Sequence, residues 1–457
     1  MLTNRRSCLQ SIGTGFGWLA FSGLTGLSTI KAASAEVGNV REGNIRRPHH
    51  SPRAKRIIFL CMQGGPSHLD TFDPKPLLNR DHDKPSKGRN SGAKLQGSPF
   101  AFAHHGQSGL QISELFPHLA QRADELCVIR SMKTDIPNHP QAMIQLHTGS
   151  PRFVRPSMGA WVLYGLGSEN QNVPGFVTIN PPGQIGAQTY GSAFLPASCQ
   201  GTRVGTSGSM SQMKNSYLAP KQQRDQLDFI QNLNKGFHKT TQQHPEIEGA
   251  IHSLELAFRM QAEMPEVLNL ERESTATKRL YGLEEGRGDS FARQCLLARR
   301  MVEAGVRFVE LNHGGWDQHQ NLTADLRRNA VAIDRPIAAL LMDLRERGLL
   351  DETIVMWGGE FGRTPDTRRT DGRDHNAKGF SFWLAGGGVK GGFSYGATDD
   401  YGFESVQNPV HIHDLHATML HLLGLDHERL TFRYAGRNHR LTDVKGQVVR
   451  GLLDSVS

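Results

Sequence analysis

The chain has 457 residues, of which 37% are hydrophobic and 21% charged, a balance typical of a globular protein. Its length allows one large domain or up to about three ordinary ones. The formal net charge is +8, but residues 1–56 contain nine Lys and Arg against two Glu and so account for +7. The rest of the chain is nearly neutral, which argues against nucleic-acid binding by the folded body.

Residues 1–35 have the pattern of a twin-arginine export signal. Arg5 and Arg6 precede a mildly apolar, Gly-rich segment, residues 12–27, and a small-x-small cleavage site at 33–35. A membrane anchor is the weaker alternative, because Gly, Ser and Thr interrupt a segment shorter than the roughly 18–20 apolar residues that span a bilayer. The pattern predicts export by the twin-arginine machinery to the periplasm or the exterior, with no stable membrane span after processing.

Composition also indicates how the rest of the chain is organised. Residues 36–54 are polar and basic and are predicted to be a linker before one domain over residues 55–457. Within that domain, residues 184–220 are rich in Gly and Ser, and residues 221–285 are polar with helical propensity. We predict that residues 184–285, approximately, form an inserted subdomain.

The five cysteines, at positions 8, 61, 127, 199 and 295, form no C-x-x-C pair. This spacing excludes a cysteine-rich metal site of the usual kind. Cys61 and Cys127 lie within apolar runs and are predicted to be core residues.

Apolar runs bounded by turn residues predict the strands, and helical spacing predicts the helices. The predicted strands cover residues 56–62, 127–130, 175–179, 306–311, 353–357 and 380–385. The predicted helices cover residues 114–123, 158–166, 291–304, 334–347 and 414–423. The alternation of helix and strand predicts an α/β fold with a mostly parallel central sheet and helices on both faces.

Charged side chains follow two of the predicted strands. The strand 353–357 runs into WGGEFGRTP, residues 357–365, which contains Glu360 and Arg363, and a GRDH sequence follows at 372–375. The strand 306–311 leads to WDQH, residues 316–319. Because open α/β sheets bind ligands at the carboxyl ends of their strands, these motifs predict a polar site assembled from several strand ends.

The same motifs carry a resemblance to a known family. GGPSHLDTFDP at 64–74, WGGEFGRTP at 357–365 and GRDH at 372–375 resemble a secreted sulfatase-like family, domain of unknown function 1501, in the alkaline phosphatase superfamily. The resemblance covers nearly the whole chain. It implies an alkaline phosphatase-like fold, with the mostly parallel sheet, helices on both faces and an inserted helical region.

The resemblance to sulfatases also suggests positions for the site. LHTGSP at 146–151 is similar to the segment that follows the sulfatase nucleophile, which places His139 at the nucleophile position. Glu360 and Phe361 stand where sulfatases have a metal-binding Asp-His pair, and Gln63 stands where the first strand of the superfamily ends in Asp. The chain also lacks the Cys-x-Pro-x-Arg signature, which argues against formylglycine-dependent hydrolysis. The changes at Gln63, Glu360 and Phe361 favour one metal ion over two.

Carboxylates and imidazoles suit zinc or manganese, with calcium or iron as alternatives. The predicted metal ligands are Asp317, His319, Asp374, His375 and Asp70. Asp317 and His319 could instead cap a turn.

Four further residues are predicted to act in catalysis. His139 could be a nucleophile, an acid or an added ligand, although a plain loop histidine is the competing interpretation. Glu360 could complete the metal shell or act as a general base, and Arg363 and Arg373 could hold an anionic substrate. A structural ion pair between Glu360 and Arg363 is the alternative.

These features predict a metal-dependent hydrolase of phosphate or sulfate esters, acting on an anionic small molecule or a glycan ester. The alternative is a catalytically degenerate family member that keeps the fold to bind glycans or a protein partner. The missing first Asp and the missing second-site histidine support this alternative.

Overall fold

We describe the fold from a computed structural model that covers residues 47–86, 92–183, 185–210, 217–240, 245–283 and 290–454. The predicted export signal and the first part of the predicted linker lie outside the described residues. The nineteen strands of the described part are β1 Arg56–Met62, β2 Lys94–Leu95, β3 Phe102–His105, β4 Leu110–Ser113, β5 Leu126–Lys133, β6 Phe176–Ile179, β7 Thr202–Val204, β8 Phe308–His313, β9 Thr353–Gly358, β10 Gly362–Arg363, β11 Asp366–Thr367, β12 His375–Asn376, β13 Phe380–Ala385, β14 Phe393–Tyr395, β15 Ala397–Thr398, β16 Ser405–Gln407, β17 Val410–His411, β18 Phe432–Tyr434 and β19 Arg437–His439.

Nine of these strands form one central sheet in the order β14-β5-β13-β9-β1-β8-β6-β7, with β17 added beside β5. β1 lies parallel between β8 and β9, and β6 and β7 continue in the same direction. β13 runs antiparallel to both β5 and β9. The sheet is mostly parallel, so the predicted α/β fold class is confirmed.

Helices cover both faces of the sheet. The α-helices of the described part are α1 His68–Thr71, α2 Pro76–Arg80, α3 His139–Thr148, α4 Met158–Leu166, α5 Pro220–Thr240, α6 Pro245–Leu268, α7 Thr275–Tyr281, α8 Ser290–Glu303, α9 Leu322–Glu346 and α10 Ile412–Leu422. The 3-10 helices are Leu119–Glu125, Gly186–Thr189, Ala197–Cys199, Leu270–Arg272, Leu350–Glu352 and Arg450–Leu452.

The core is divided by the sheet into two layers. Alternate side chains of β1 point to opposite faces, as the period of a strand requires. Ile58, Leu60 and Met62 pack with α8 and α9, whereas the other face of β1 packs with α3, α4 and α10. Since both layers are apolar, the central strands are buried on both faces, which is why they appear in the sequence as continuous hydrophobic runs.

The strand directions place four connections at one edge of the sheet. β1, β8 and β9 are parallel, and β5 shares their direction because β13 opposes both β5 and β9. The segments that follow these strands begin at residues 63, 314, 359 and 134. Chain segments far apart in sequence therefore meet at this carboxyl edge.

Two helix predictions are wrong in their extent. Residues 114–118 form turns, and helical structure begins only with the 3-10 helix Leu119–Glu125. Asp334, predicted to start a helix, lies in the middle of α9, which begins twelve residues earlier at Leu322 and continues through Pro336. The carboxylate of Asp334 instead accepts hydrogen bonds of 2.8 Å from the N–H groups of His118 and Leu119. It caps the 3-10 helix of a distant segment, which a local capping rule does not anticipate.

The region predicted as an insertion contributes to the main body as well. β7 joins the end of the central sheet, and Met260 and Met264 of α6 pack in the core layer beside α8. Arg224 of α5 donates a 2.9 Å hydrogen bond to Glu255 of α6. Among the residues that the structure describes, no helix is long and apolar enough to cross a membrane.

Candidate metal centre

The carboxyl edge of the sheet brings four candidate residues together. After β5 the chain enters α3, whose first residue is His139. After β8 it passes Asp317 and His319, and the short ribbon of β10 and β12 presents His375. We call His139, Asp317, His319 and His375 the edge cluster.

One oxygen of Asp317 is the centre of the edge cluster. Its Oδ1 atom lies 3.1 Å from Nε2 of His139 and 3.1 Å from Nε2 of His319. Nε2 of His375 lies 3.4 Å from the same oxygen and 2.9 Å from Nε2 of His319. The side chain of Asp317 is 48% exposed, so the edge cluster opens to solvent.

Each of the three histidines uses its Nδ1 atom in a hydrogen bond directed away from the centre. The acceptors are carboxylate or carbonyl oxygens, so Nδ1 carries the proton and the lone pair of a neutral ring is on Nε2. Metal-binding histidines are oriented by the same arrangement. The three hydrogen bonds join His139 to Glu360 at 2.5 Å, His319 to Asp374 at 3.2 Å, and His375 to the carbonyl oxygen of Pro137 at 2.9 Å.

The donor set of the edge cluster fits a metal ion. Lone pairs on the histidine Nε2 atoms face a carboxylate oxygen, and such a group of acceptors requires a cation at its centre. Nε2 of His139 is buried and has no partner of hydrogen-bond geometry among the described residues. His139, Asp317 and His375 each offer one ligand atom, and these atoms lie within 4.8 Å of one another.

Electrostatics favour positive charge at the same place. Burial by itself lowers the pKa of His139, but the neighbouring carboxylates of Asp317 and Glu360 raise it to about 9. Burial raises the pKa of Asp317, but the nearby His139, His375 and Arg363 hold it well below its usual range. The edge cluster therefore stabilises a cation, whether that cation is a proton on His139 or a metal ion.

Arg363 holds Asp317 in place from inside the protein. Its Nη2 atom donates a 2.7 Å hydrogen bond to Oδ1 of Asp317, and its Nε atom donates to the carbonyl oxygen of Gly65 at 2.9 Å. It also donates to the carbonyl oxygens of Gly64 and Trp316. The side chain is fully buried, and its contacts are within the protein. In this structure Arg363 positions Asp317 and the adjoining glycine turn.

The glycine turn after β1 lies directly against this segment. Gly64 has a φ of +113°, and a Cβ atom there would lie 2.5 Å from the backbone nitrogen of Asp317. Both the conformation and the space therefore require glycine. The Gly-Gly pair in the 64–74 motif allows Asp317 to approach β1.

Phe361 contacts the edge cluster without offering a ligand atom. Its ring centroid lies 4.6 Å from that of His139 and 4.6 Å from that of His375, and the residue is buried. This phenylalanine side chain thus packs against two imidazole rings and keeps water away from one side of them.

Two of the predicted carboxylates, Glu360 and Asp374, contact the histidines on the side of the ring that faces away from Asp317. Glu360 is only 1% exposed, and it accepts hydrogen bonds from His139 and from the N–H of Gly64, the latter at 3.0 and 3.2 Å. Asp374 is 42% exposed and lies behind His319. Both orient histidines in this structure.

Asp70 and Arg373 lie outside the edge cluster. Arg373 donates from Nε to Oδ2 of Asp70 at 2.7 Å and from Nη2 to Oδ1 at 3.1 Å, and Ser67 also donates to Oδ2 at 2.5 Å. Arg373 further donates to the carbonyl oxygen of Gln96. Both charged side chains are fully buried. The structure therefore does not bring Asp70 to the predicted ligands, and it directs Arg373 into the protein interior.

The helix that begins at His139 was not predicted. Residues 134–151 appear in the sequence as a polar stretch, yet residues 139–148 form α3, with Pro140 in the first turn and Gly149 in the left-handed conformation at the end. Proline at the first helical positions and glycine just after the last are standard boundary signals, so the helix could have been found. The acceptor role of the Pro137 carbonyl had no signal in the sequence.

The fold and the cluster together define an α/β protein with a candidate metal centre at the carboxyl edge of its sheet. A family model described as "Protein of unknown function (DUF1501)" matches residues 54–453. The chain belongs to this family, and the predicted family membership is confirmed. A search of curated proteins found no match.

Several solved structures are similar to the chain over most of its length. The sulfatase PsFucS1 from Pseudoalteromonas sp. is 12% identical, with 82% of this chain and 69% of that chain covered and a TM-score of 0.37. A protein in the alkaline phosphatase superfamily from Vibrio parahaemolyticus is 10% identical, with 91% and 78% covered and a TM-score of 0.36. The C-terminal periplasmic domain of EcEptC from Escherichia coli, in complex with Zn, is 10% identical, with 84% and 86% covered and a TM-score of 0.36.

Proposed function

We propose that the chain is an exported, metal-dependent hydrolase of phosphate or sulfate esters, with one divalent ion in the edge cluster. The observation that carries this proposal is the direction of the three histidines. Each presents Nε2 towards Oδ1 of Asp317 and uses Nδ1 to donate to an oxygen on its far side. The resemblance of the strand-end motifs to those of sulfatases supports the ester-hydrolase class.

His139, His319, His375 and Asp317 would hold the ion. Three imidazoles and one carboxylate suit zinc, manganese or iron, whereas calcium takes oxygen ligands almost exclusively. A divalent ion supplies charge stabilisation for the oxygens of a phosphoryl or sulfuryl group and activates water near neutral pH. His139 is thereby assigned to metal binding rather than to the nucleophile position.

The surrounding residues prepare the ligands. Glu360 keeps a proton on Nδ1 of His139, Arg363 fixes Asp317, and Phe361 shields two rings from water. We assign proton transfer to Asp374, because its carboxylate reaches solvent whereas Glu360 is buried. The substrate in this proposal is an anionic small molecule or a glycan ester, bound on the open side of the edge cluster.

One observation favours the second candidate function, a scaffold that binds a metal ion without hydrolysis. Both arginines predicted to hold an anionic substrate, Arg363 and Arg373, are fully buried and bonded within the protein. A substrate anion would have to rely on the metal ion and on other cations. Metal binding is common to both candidates, so only an activity measurement separates them.

The test combines metal analysis with a screen of aryl phosphates and aryl sulfates on purified protein. We expect His375→Gln to lose one equivalent of transition metal and to reduce ester hydrolysis at least 100-fold, since it removes a ligand. His104→Gln is the matched control, because His104 is an exposed histidine whose hydrogen bonds, to Gly109 and Gln111, lie within its own hairpin. Unchanged metal content in His375→Gln would contradict the metal centre. A metal-loaded protein that cleaves none of the esters would favour the scaffold.

A further inference from the structure

A second group of potential ligands lies below the carboxyl edge, inside the protein. Cys61 of β1, Glu310 of β8 and His147 of α3 are 0%, 0% and 3% exposed. β1 and β8 are parallel neighbours, and α3 covers the face of the sheet to which Cys61 and Glu310 point. His147 extends from α3 towards that face and contacts Glu310. We call these three residues the buried cluster.

His147 and Glu310 face each other in a way that requires a cation. Nδ1 of His147 lies 2.8 Å from the carbonyl oxygen of Met143, one helical turn earlier, so Nδ1 is the donor. The lone pair of the neutral ring is then on Nε2, which lies 3.2 Å from Oε1 of Glu310. Neither Nε2 of His147 nor Oε2 of Glu310 has a hydrogen-bond partner among the described residues. Two buried acceptors in contact are costly unless a cation lies between them.

The thiol of Cys61 completes a ligand set of three different atoms. Sγ of Cys61, a ring nitrogen of His147 and a carboxylate oxygen of Glu310 lie within 4.8 Å of one another. Sγ is also 3.9 Å from Sδ of Met143. Asn312 donates a 2.8 Å hydrogen bond to Oε1 of Glu310, and the Met143 carbonyl orients His147. Hydrogen bonds of this kind, made by groups that do not themselves bind the ion, orient metal ligands in proteins.

The spacing of His147 and Glu310 matches that of two ligands of a tetrahedral zinc ion. Zinc bonds of about 2.0–2.1 Å to nitrogen and oxygen place two such ligands about 3.3 Å apart. The observed separation between Nε2 of His147 and Oε1 of Glu310 is 3.2 Å, and Sγ of Cys61 lies within 4.8 Å of a ligand atom of each. Two of the three ligand atoms therefore already have the spacing of ligands that share one ion.

We propose that Cys61, His147 and Glu310 bind a structural zinc ion, separate from the ion of the edge cluster, with the Met143 sulfur beside it. Binding forms Zn–S, Zn–N and Zn–O bonds and releases the thiol proton of Cys61 to solvent, together with a proton of His147 where the ring was an imidazolium. One thiolate and one carboxylate balance the two positive charges of zinc. A neutral complex is what a fully buried site requires. This proposal does not rest on the hydrolase function.

The experiment uses cobalt in place of zinc in the full-length protein. A cobalt ion bound to a cysteine thiolate gives a near-ultraviolet charge-transfer band, whereas cobalt bound only to histidine and carboxylate does not. We expect the band in the wild-type protein and its complete loss in Cys61→Ser, together with the loss of one zinc equivalent from the zinc form. Cys127→Ser is the matched control, since Cys127 is an equally buried cysteine of β5, and it should keep the band.

Two further variants make the outcome decisive. Glu310→Gln keeps the shape and an acceptor for Asn312 but removes the charge, so we expect it to lose the ion. His375→Gln removes a ligand of the edge cluster and should keep the thiolate band, which separates failure of this proposal from failure of the hydrolase proposal. A wild-type cobalt protein without a thiolate band would overturn the proposal, even where Cys61→Ser does not fold. A band that persists in Cys61→Ser, or full zinc content in Glu310→Gln, would overturn it too and leave a buried imidazolium–carboxylate pair.

Discussion

Two arginine–aspartate pairs near the carboxyl edge have the same chemistry and different surroundings. Arg373 and Asp70, the interior pair, approach to 2.7 Å and are both fully buried. Arg363 and Asp317, the edge pair, also approach to 2.7 Å, but Asp317 is about half exposed. The edge pair leaves a carboxylate oxygen of Asp317 open to three imidazoles, whereas the interior pair leaves no carboxylate oxygen open to them. Exposure of the acid, rather than the presence of the ion pair, separates a structural contact from a candidate metal centre.

The largest expected effect is on the interior pair. Asp70→Asn leaves the Arg373 guanidinium buried without its countercharge, which typically costs about 3–5 kcal/mol of unfolding free energy. Denaturant unfolding of the metal-free protein measures this loss. The metal content of the folded fraction should stay at the wild-type value, because Asp70 does not contact the edge cluster. A loss of metal at unchanged stability would show that Asp70 is a ligand after all.

Asp317→Asn should give the opposite pattern at the edge pair. The variant removes a ligand, so we expect metal affinity to fall by more than the roughly 100-fold upper limit seen for residues that only orient ligands. The free energy of unfolding of the metal-free protein should fall less than in Asp70→Asn, since Asp317 is half exposed and water can replace part of its charge beside the buried Arg363. Competition with a chelator gives the affinity. Stability loss as large as that of Asp70→Asn would remove the distinction between the two pairs.

Glu360→Gln tests the acceptor behind His139. The amide oxygen of Gln can still accept the Nδ1 proton, but the buried negative charge is lost. We expect metal affinity to fall by roughly 30- to 100-fold, near the upper end for an orienting residue. Isothermal titration with zinc measures the change. His104→Gln serves again as the control, and equal affinities in the two variants would argue against an orienting role for Glu360.

Asp374→Asn should have the smallest effect on metal affinity. Its carboxylate is exposed, so water can replace part of its interaction with His319, and we expect a decrease of about 10-fold or less. If Asp374 also transfers the proton, ester hydrolysis at saturating metal should fall much further than affinity. Measuring both quantities on the same preparation separates the two roles. An activity loss no greater than the affinity loss would assign Asp374 to orientation alone.

The sequence identified most of the framework because that information is local. Continuous apolar runs marked β1, β5, β6, β8, β9 and β13, and the short motifs at their ends marked the family. The sequence also identified Asp317 and His319 as candidates, because their motif follows a predicted strand. It identified His375 because this residue lies in the GRDH motif, which forms part of the short ribbon of β10 and β12. Asp334 shows the limit of local signals, since it caps a 3-10 helix more than two hundred residues earlier in the chain.

The roles inside the candidate centre could not be read from the motifs. Glu360 and His139 are separated by 221 residues, and Arg373 and Asp70 by 303. Which nitrogen faces which oxygen depends on those contacts. The burial of Arg363, Arg373 and Glu360 depends on how several loops cover the sheet edge, and no residue type reports that by itself.

By itself, the sequence determined the α/β class, the family and the strand ends at which charged side chains occur, because hydrophobic periodicity and short motifs are properties of neighbouring residues. Only the tertiary structure decided that three histidines converge on one oxygen of Asp317, that Asp70 is excluded from them, and that Cys61 meets His147 and Glu310. Those arrangements arise where parallel strands bring distant segments to one edge, and distance and burial there set the charge that each site can hold.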